Sequence, residues 1–385
     1  MNTIQKGVIA LIRSALTQQA QPLPEGFSLA EAMPVIRHHH VTPLAFEGAQ
    51  ICGLPQDPIL FQSYCKALQI STGQLRTLEG LFAAFDAAGI DYMPLKGCNM
   101  KFRYPRPELR QMGDADILIR LDQYEKIVPI LESRGFARGE ETDHELHWNT
   151  RTLELELHKR LIPSYNVDFH GYFGDGWSLA RPVAGSRHAM TAEDEFVFVF
   201  THFAKHYRDG GIGCSHVADL WVFLGRFPAL DMARVEGKLE ELHLLGFWRN
   251  MRHVLAVWFE EAPATEKTDF MTDYVFGSGS FGTDTSRVQS RAVRDTKHSL
   301  PGIGGRLVYL WQTAFPPVEV LRSKYTVLKK HPWLLPAVWL VRPFYKVFFE
   351  FCTLTRQRQN LQALSPERIQ SRQDALRYVD LDFYF

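Results

Sequence analysis

The sequence predicts an α+β fold in which a small mixed β-sheet lies between an N-terminal and a C-terminal helical region. Apolar residues recur at helical spacing toward both ends of the 385-residue chain. Between them, residues 153–158 alternate leucine with polar side chains, which is typical of a strand buried on one face. The expected parts are an N-terminal helical region over 1–89, a core containing the sheet over 90–190, and a C-terminal helical region over 191–385.

The N-terminal region is predicted to contain three helices. Their apolar spacing places them over residues 1–18, 28–48 and 58–88. Prolines separate the first helix from the second, and Gly89 follows the third as a C-cap.

Short strands and turns replace the helical pattern after Gly89. Residues 90–95 form an expected strand that runs into Lys96-Gly97, and the prolines that follow exclude a long helix. The remaining expected elements of the core are a strand over 114–119, an amphipathic helix over 121–134, and strands near 144–148 and 153–158.

Helical spacing returns in the C-terminal region. The expected helices cover residues 192–209, 215–226, 231–243 and 245–261. Residues 262–305 are rich in Gly, Ser, Thr and Asp, which predicts a long surface loop. Within it, residues 276–286 are equally compatible with a lid and with a disordered segment.

Composition excludes several classes of protein. The 43 basic residues balance the 43 acidic residues, so the whole chain has no electrostatic footprint for nucleic acid. Its 5 cysteines are scattered without a CxxC spacing, which argues against a disulfide framework or a zinc knuckle and predicts a cytoplasmic location. An integral membrane span is not expected, because prolines and basic residues interrupt the apolar stretch 331–352. A buried helical pair around Pro343 is favoured there, and peripheral membrane contact stays open.

The segment Asp114-Ala115-Asp116 is the most informative in the chain. On a strand, Asp114 and Asp116 point to the same face, where two like charges repel each other. A divalent cation such as magnesium removes that repulsion. Glu156, on the polar face of the alternating strand, completes a three-carboxylate cluster if the two strands are neighbours, and Glu154 competes for that role. The alternative is a solvated strand end with no ligand.

Two features near the aspartates suit a bound phosphate. Lys96 and Gly97 form a turn that can offer backbone N–H groups and a positive charge, and Arg110 can donate to two phosphate oxygens. Arg103 and Arg106 lie nearby but are less clearly directed at the site. A strand-to-helix turn with no ligand is the alternative.

A histidine pair suggests a different chemistry. His202 and His206 share one face of a predicted helix, and His216 and Asp219 follow, which fits either a zinc site or a metal-dependent hydrolase. The fuller HExxH pattern is absent, so a packing or hydrogen-bonding role is favoured.

Together these motifs resemble a bacterial family of uncharacterised nucleotidyltransferases in the DNA-polymerase-β-like superfamily. The resemblance covers most of the chain. Its motifs are Leu95-Lys96-Gly97, Tyr104-Pro105, the Arg-x-Met-Gly-Asp-x-Asp segment from Arg110 to Asp116, Glu156-Leu157-His158, and His202, His206 and Asp219. The wider superfamily usually has Gly-Ser or Gly-Gly at the turn where this chain has Lys96-Gly97.

The resemblance implies two-metal transfer of a nucleoside monophosphate from an NTP to an acceptor hydroxyl, with pyrophosphate as the leaving group and Mg²⁺ (or Mn²⁺) as the cofactor. It implies Asp114, Asp116 and Glu156 as metal ligands and catalytic residues, and Lys96, Gly97, Arg110 and Gly113 as nucleotide-binding residues. The acceptor, a protein, an RNA or a small molecule, is left open. Two other functions remain possible at this point: a nucleotide-binding regulatory protein that has lost turnover, and a His/Asp metal-dependent hydrolase.

Overall fold

The computed structural model describes residues 1–164, 166–280, 282, 286–290, 293, 315, 321, 327–340 and 365–383. They belong to two compact units. The first contains Met1–His206, Ile212–Phe281 and Val379–Phe385, and the second contains Tyr207–Gly211 and Gly282–Tyr378. The division at residues 89/90 and 190/191 stays a prediction.

The first unit contains a mixed sheet of seven strands. In chain order these are β1 (Tyr92–Pro94), β2 (Asp114–Ile119), β3 (Ala137–Glu141), β4 (Glu145–Asn149), β5 (Glu154–His158), β6 (Arg181–Ala184) and β7 (Arg187–Ala189). Their spatial order is β3-β4-β5-β2-β1-β7-β6. The pairs β2–β5 and β1–β7 are parallel and the others antiparallel. The predicted α+β class with a mixed sheet is confirmed.

One face of this sheet packs on helices. Before the sheet come α1 (Thr3–Thr17), α2 (Leu29–His38), α3 (Thr42–Ile51) and α4 (Pro58–Ala87); within it lie α5 (Lys96–Met100), α6 (Tyr124–Ser133) and α7 (Val167–Phe173). Leucine, isoleucine and alanine side chains of β2 and β5 join apolar residues of α4 and α6 in one buried cluster. Alternation therefore sends the remaining side chains of β2 and β5, among them the carboxylates, to the opposite face.

The expected helix over 28–48 is wrong, because the chain forms two helices with a break at residues 39–41. His40 has φ 52° there, and Pro43 lies in the first turn of α3, where its missing N–H is no loss. The break is held by the buried His39 ring, whose nitrogens lie 3.1 Å from the carbonyl oxygen of Phe276 and 3.2 Å from the backbone nitrogen of Cys214.

The helices predicted after the sheet are present. They are α8 (Ala192–Asp209), α9 (Cys214–Arg226), α10 (Met232–Glu241) and α11 (Leu245–Phe259). The predicted loop over 262–305 is wrong at its start, because α12 (Glu266–Ser278) occupies it. Thr265 and Thr268 form a capping box that satisfies N–H groups of its first turn. The polar composition of the segment alone does not indicate this helix start.

In the second unit, α13 (Val327–Lys330) and α14 (Pro366–Tyr378) are described. The buried Arg372 of α14 donates to the carbonyl oxygens of Tyr207 and Arg208 and to the Ser290 hydroxyl. One guanidinium thus joins α14 to residues 207, 208 and 290.

None of the helices in the described parts of the chain is long and apolar enough to cross a bilayer. Of the apolar stretch 331–352, residues 341–352 lie outside the described residues, so the helical pair and peripheral membrane contact stay predictions. Residues 276–278 of the candidate lid belong to α12, whereas residues 281 and 283–285 also lie outside the description.

Sequence analysis missed three strands. β3 is exposed along its whole length and β6 likewise, so neither shows the alternation of a half-buried strand. β7 has only three residues. The sheet therefore extends past β5 to Ala189, through strands that the sequence pattern does not indicate.

Gly48 gives a test of the packing between α1 and α3. A Cβ atom at Gly48 would lie 2.0 Å from the carbonyl oxygen of Leu11, whereas one at Gly80, on the exposed side of α4, meets nothing within 4 Å. We expect Gly48→Ala to lower the free energy of unfolding by about 1–3 kcal/mol. Gly80→Ala should raise it by about 0.4–1 kcal/mol through helix propensity and reduced unfolded-state entropy. Urea unfolding of both variants checks this, and equal effects would contradict the contact.

Candidate metal and nucleotide site

The polar face of the sheet brings the predicted carboxylates together. β2 and β5 are direct neighbours, with Asp116 opposite Glu156 and Asp114 opposite Glu154. On the other side of β5, Glu156 is opposite His147. Asp116, Glu156 and His147 therefore form one row across three strands.

Asp116 is the centre of this face. Its carboxylate is buried, and the residue is 2% exposed. Its Oδ1 accepts from Lys96 Nζ at 2.7 Å and lies 2.9 Å from His158 Nε2. Burial acts to raise the pKa of Asp116, but the Lys96 charge and the His158 hydrogen bond outweigh it and hold that pKa below its usual range. Asp116 is therefore ionised, and Lys96 and His158 both contact the same oxygen of its carboxylate.

Asp114 has a different environment. The charge of Asp116, followed by burial, raises the pKa of Asp114 to about 6. The two aspartates therefore differ: the donors of Asp116 stabilise its ionised form, whereas the charge of Asp116 destabilises the ionised form of Asp114. Any added cation on this face would favour the ionised form of Asp114.

Donor atoms suited to a cation converge beside this pair. Ligand atoms of Asp116, Glu156 and His158 all lie within 4.8 Å of one another, and so do those of Glu145, His147 and Glu156. Carboxylate oxygens are ligands that magnesium and manganese prefer. Asp114 belongs to neither group among the described residues, so metal binding by Asp114, Asp116 and Glu156 stays a prediction.

Histidines link the carboxylates into a network. His158 Nε2 lies 3.6 Å from Glu156 Oε2 and 3.9 Å from Glu145 Oε2. Burial and Lys96 act to lower the pKa of His158, but its hydrogen bonds to Asp116 and Glu156 raise it overall. Burial acts to raise the pKa of Glu145, and the hydrogen bond and charge of His144 lower it to about 2. Asp116 and Glu145 are thus stabilised as anions by groups of the protein itself.

The Lys96-Gly97 turn lies directly against β2. Lys96 has φ 41°, a left-handed conformation that costs a non-glycine residue free energy and is concentrated at functional sites. The backbone N–H of Leu95 donates to the Asp116 carbonyl oxygen at 2.9 Å. At Gly97, a Cβ atom would lie 2.9 Å from Arg110 Nη1, so a larger residue would displace that guanidinium. Phosphate binding by Lys96 and Gly97 stays a prediction.

Arg110 is engaged by a residue of α9. Its Nε and Nη2 each donate to one oxygen of Asp219 at 2.8 Å, and the Tyr104 hydroxyl donates to the same carboxylate at 2.7 Å. Nη1 donates to the carbonyl oxygen of Gln111 at 3.3 Å. Phosphate binding by Arg110 stays a prediction, and it would compete with this pairing.

The other predicted basic residues are directed elsewhere. Arg103 pairs with Glu195 and lies over the ring of Phe223, and Arg106 donates to Glu47 at 2.6 Å. Gly113 is exposed immediately before β2, and its nucleotide-binding role stays a prediction.

The His202–His206 pair does not join a metal-binding group within the described residues. The two Nε2 atoms lie 2.8 Å apart, which is a hydrogen bond between the rings. Burial, followed by the charges of Lys96 and His206, holds the pKa of His202 well below its ordinary value. Asp219, the expected partner for a hydrolase site, binds Arg110 instead.

Comparison with known proteins now identifies the family. Residues 26–260 match the family described as uncharacterised nucleotidyltransferase, which is more than half of the chain. The chain belongs to this nucleotidyltransferase family. The family resemblance expected from the motifs is confirmed, and the matched range includes the entire sheet and α8 to α11.

The comparisons with solved structures and with curated proteins add little about the family. A solved structure of the antibiotic-resistance factor ANT(2'')-Ia is 16% identical, with a TM-score of 0.33, and the match covers 50% of this chain and 100% of that one. No curated protein matches the sequence.

Sequence analysis missed Glu145 and His147 as members of the candidate site, and it missed the contact of His158 with Asp116. His158 was placed on the polar face of its strand, but its contact with Asp116 depends on the β2–β5 register. Glu145 and His147 alternate with Leu146 and Trp148 in β4, a signal present in the sequence. The pairing of Arg110 with Asp219 has no local signal, because the two residues are 109 positions apart.

Lys96 gives a test of the charge balance at Asp116. If its ammonium group occupies an oxygen that a cation needs, Lys96→Met should bind Mn²⁺ more tightly than the wild-type protein in the absence of nucleotide. Lys238→Met is the matched control, since Lys238 pairs with Asp194 at 2.7 Å and is 20% exposed, against 2.7 Å and 19% for Lys96. Mn²⁺ titration followed by electron paramagnetic resonance measures both, and weaker binding by Lys96→Met would contradict this competition.

Proposed function

We propose that this protein is a metal-dependent enzyme that transfers a nucleoside monophosphate from an NTP to an acceptor hydroxyl. One observation carries the proposal: β2, which bears the Asp-x-Asp motif of a nucleotidyltransferase family, pairs in register with β5 so that Asp116 lies opposite Glu156. Such a concentration of negative charge on one sheet face is unfavourable without a cation.

Asp114, Asp116 and Glu156 are the proposed ligands of Mg²⁺ or Mn²⁺. When bound, such ions supply charge neutralisation on the phosphates and activation of the acceptor hydroxyl. Asp116 brings an ionised carboxylate at every pH near neutrality, because Lys96 and His158 hold its pKa low. His158 fixes the carboxylate of Asp116 through its 2.9 Å contact, as residues around a metal site commonly do.

The proposed reaction is an in-line displacement at the α-phosphorus. The acceptor oxygen forms a bond to the α-phosphorus, the bond from that phosphorus to the oxygen bridging to the β-phosphate breaks, and pyrophosphate leaves with the electron pair. The acceptor proton goes to a carboxylate of the polar face. Glu156 is our candidate for that base, because its Oε2 keeps only a long 3.6 Å contact to His158 and Asp116 is already held by two donors.

Lys96 is proposed to change partner during the cycle. In the free protein its ammonium group neutralises Asp116 at 2.7 Å. A triphosphate that arrives with its cation brings both a new positive charge for Asp116 and new oxygens for Lys96. The lysine can then move to the phosphates, which makes the charge balance of the site similar before and after binding.

The alternatives have less support. A regulatory protein without turnover has no need for the in-register carboxylates, which a sheet without a ligand gains little from retaining. The hydrolase alternative requires Asp219 beside the histidine pair, and Asp219 is bound to Arg110 and Tyr104. The acceptor enters the proposal only as a hydroxyl group, and the cytoplasmic location stays a prediction.

The test is a thermal-shift titration of each of the four NTPs with Mg²⁺ into the wild-type protein and Asp114→Asn. We expect one NTP to raise the melting temperature only when Mg²⁺ is present, since a ligand at 100 times its Kd stabilises by about 2.7 kcal/mol. Asp114→Asn should melt at or slightly above the wild-type temperature without ligand, because it removes the charge that repels Asp116, and it should lose the Mg²⁺-dependent shift.

Asp91→Asn is the control for this titration, because it removes an aspartate charge that pairs with Arg120 at 2.7 Å outside the site. It should keep the nucleotide shift of the wild type. A folded wild-type protein that shows no shift with any of the four NTPs would overturn the proposed function.

A further inference from the structure

We propose that Asp219 is a positioning residue for the candidate metal site: through Arg110 it fixes the segment 110–113 that leads into β2, and so orients Asp114 and Asp116. The inference rests on the proposed function, because it concerns the ligands of the same cation. Asp219 belongs to α9, outside the sheet, and contacts neither carboxylate.

The contact between Asp219 and Arg110 is rigid. Two parallel hydrogen bonds of 2.8 Å join the guanidinium to both carboxylate oxygens, and the Tyr104 hydroxyl adds a third at 2.7 Å. Bidentate pairs of this kind fix the relative orientation of both groups. Asp219 is 6% exposed, so water competes little for these bonds.

The backbone between Arg110 and Asp114 is held at two more points. Lys101 Nζ donates to the carbonyl oxygen of Arg110 at 2.7 Å, and Gln74 Nε2 donates to that of Met112 at 3.0 Å. Lys101 is itself buried and donates to Ser71 of α4. The backbone of the segment is therefore fixed by Gln74 of α4 and by Lys101, which follows α5, while α9 fixes the Arg110 side chain.

Arg110 is close in sequence to the proposed metal ligands. Arg110 is four residues before Asp114, and its Nη1 fills the space beside Gly97, where a Cβ atom would lie 2.9 Å away. Gly97 in turn follows Lys96, which binds Asp116. If the guanidinium loses its partner, both the start of β2 and the Lys96 turn lose a packing surface.

A purely stabilising role and a positioning role predict different results. Removing one partner of a buried ion pair destabilises a protein, whereas replacing both partners by apolar residues of similar volume is often neutral or stabilising. The double variant Arg110→Met/Asp219→Leu therefore keeps the net charge and should keep the fold, although the buried Tyr104 hydroxyl loses its acceptor. Under the positioning role it still lacks the bidentate contact that orients the segment.

The experiment is Mn²⁺ titration, without nucleotide, of the wild-type full chain, Asp219→Asn and the double variant, followed by electron paramagnetic resonance. We expect Mn²⁺ affinity to fall about 10- to 100-fold in both variants, the loss typical of residues that orient metal ligands. Thermal melts are recorded in parallel, and the double variant should unfold in one cooperative transition, which shows that it is folded during the titration. Asp91→Asn, which makes the same charge change as Asp219→Asn away from the site, should bind Mn²⁺ like the wild type.

The outcomes separate the two proposals. If the wild type binds Mn²⁺ and the folded double variant binds it equally well, Asp219 only stabilises the fold and the positioning role is overturned, while the proposed function stands. If the folded wild type binds no Mn²⁺, the proposed metal site fails and the positioning role fails with it. If Asp219→Asn does not fold, the double variant alone decides between the two roles.

Discussion

The repulsion between carboxylates on neighbouring strands is the constraint on which this site depends. Asp114 and Asp116 share one face of β2, and the β2–β5 register places Glu156 directly opposite Asp116. Like charges in such positions destabilise a sheet. Lys96 and His158 offset the charge on one oxygen of Asp116, whereas Asp114 has its pKa raised to about 6 by its neighbour. Groups of the protein therefore neutralise only part of the charge on this face.

The opposite face of the same strands makes this arrangement stable. Ala115, Ile117, Leu155 and Leu157 pack with helix residues in one apolar cluster. Burial of such side chains contributes about 1.5–3 kcal/mol for each large one, enough to hold two strands in register against an unfavourable charge. The register in turn cannot slip by one residue, because a slip would bring carboxylates into the core. Packing of the apolar face thus fixes the positions of the carboxylates on the polar face.

Much of this site followed from local pattern in the sequence. Alternation in residues 153–158 identified β5, and the Asp-x-Asp spacing identified the polar face of β2, since both depend only on neighbouring residues. The strands without alternation were missed, as was the cap that starts α12. Contacts between distant segments were also out of reach: the fold brings Asp219 to Arg110 from 109 positions away, and no local pattern signals that pairing. A side chain's direction in a loop is set by tertiary partners that no local spacing encodes.

The parallel pairing of β2 and β5 has a consequence for how the protein is assembled. Parallel neighbours cannot be joined by a tight turn, so α6 and the β3–β4 hairpin must intervene before the chain returns. His158 meets Asp116 only across 42 positions of sequence. During synthesis the aspartate pair leaves the ribosome before its partners on β5. A nascent chain that ends before β5 has Asp114 and Asp116 but lacks Glu156 and His158 beside them. A cation site that needs both Asp116 and Glu156 would therefore exist only once β5 has taken its place next to β2.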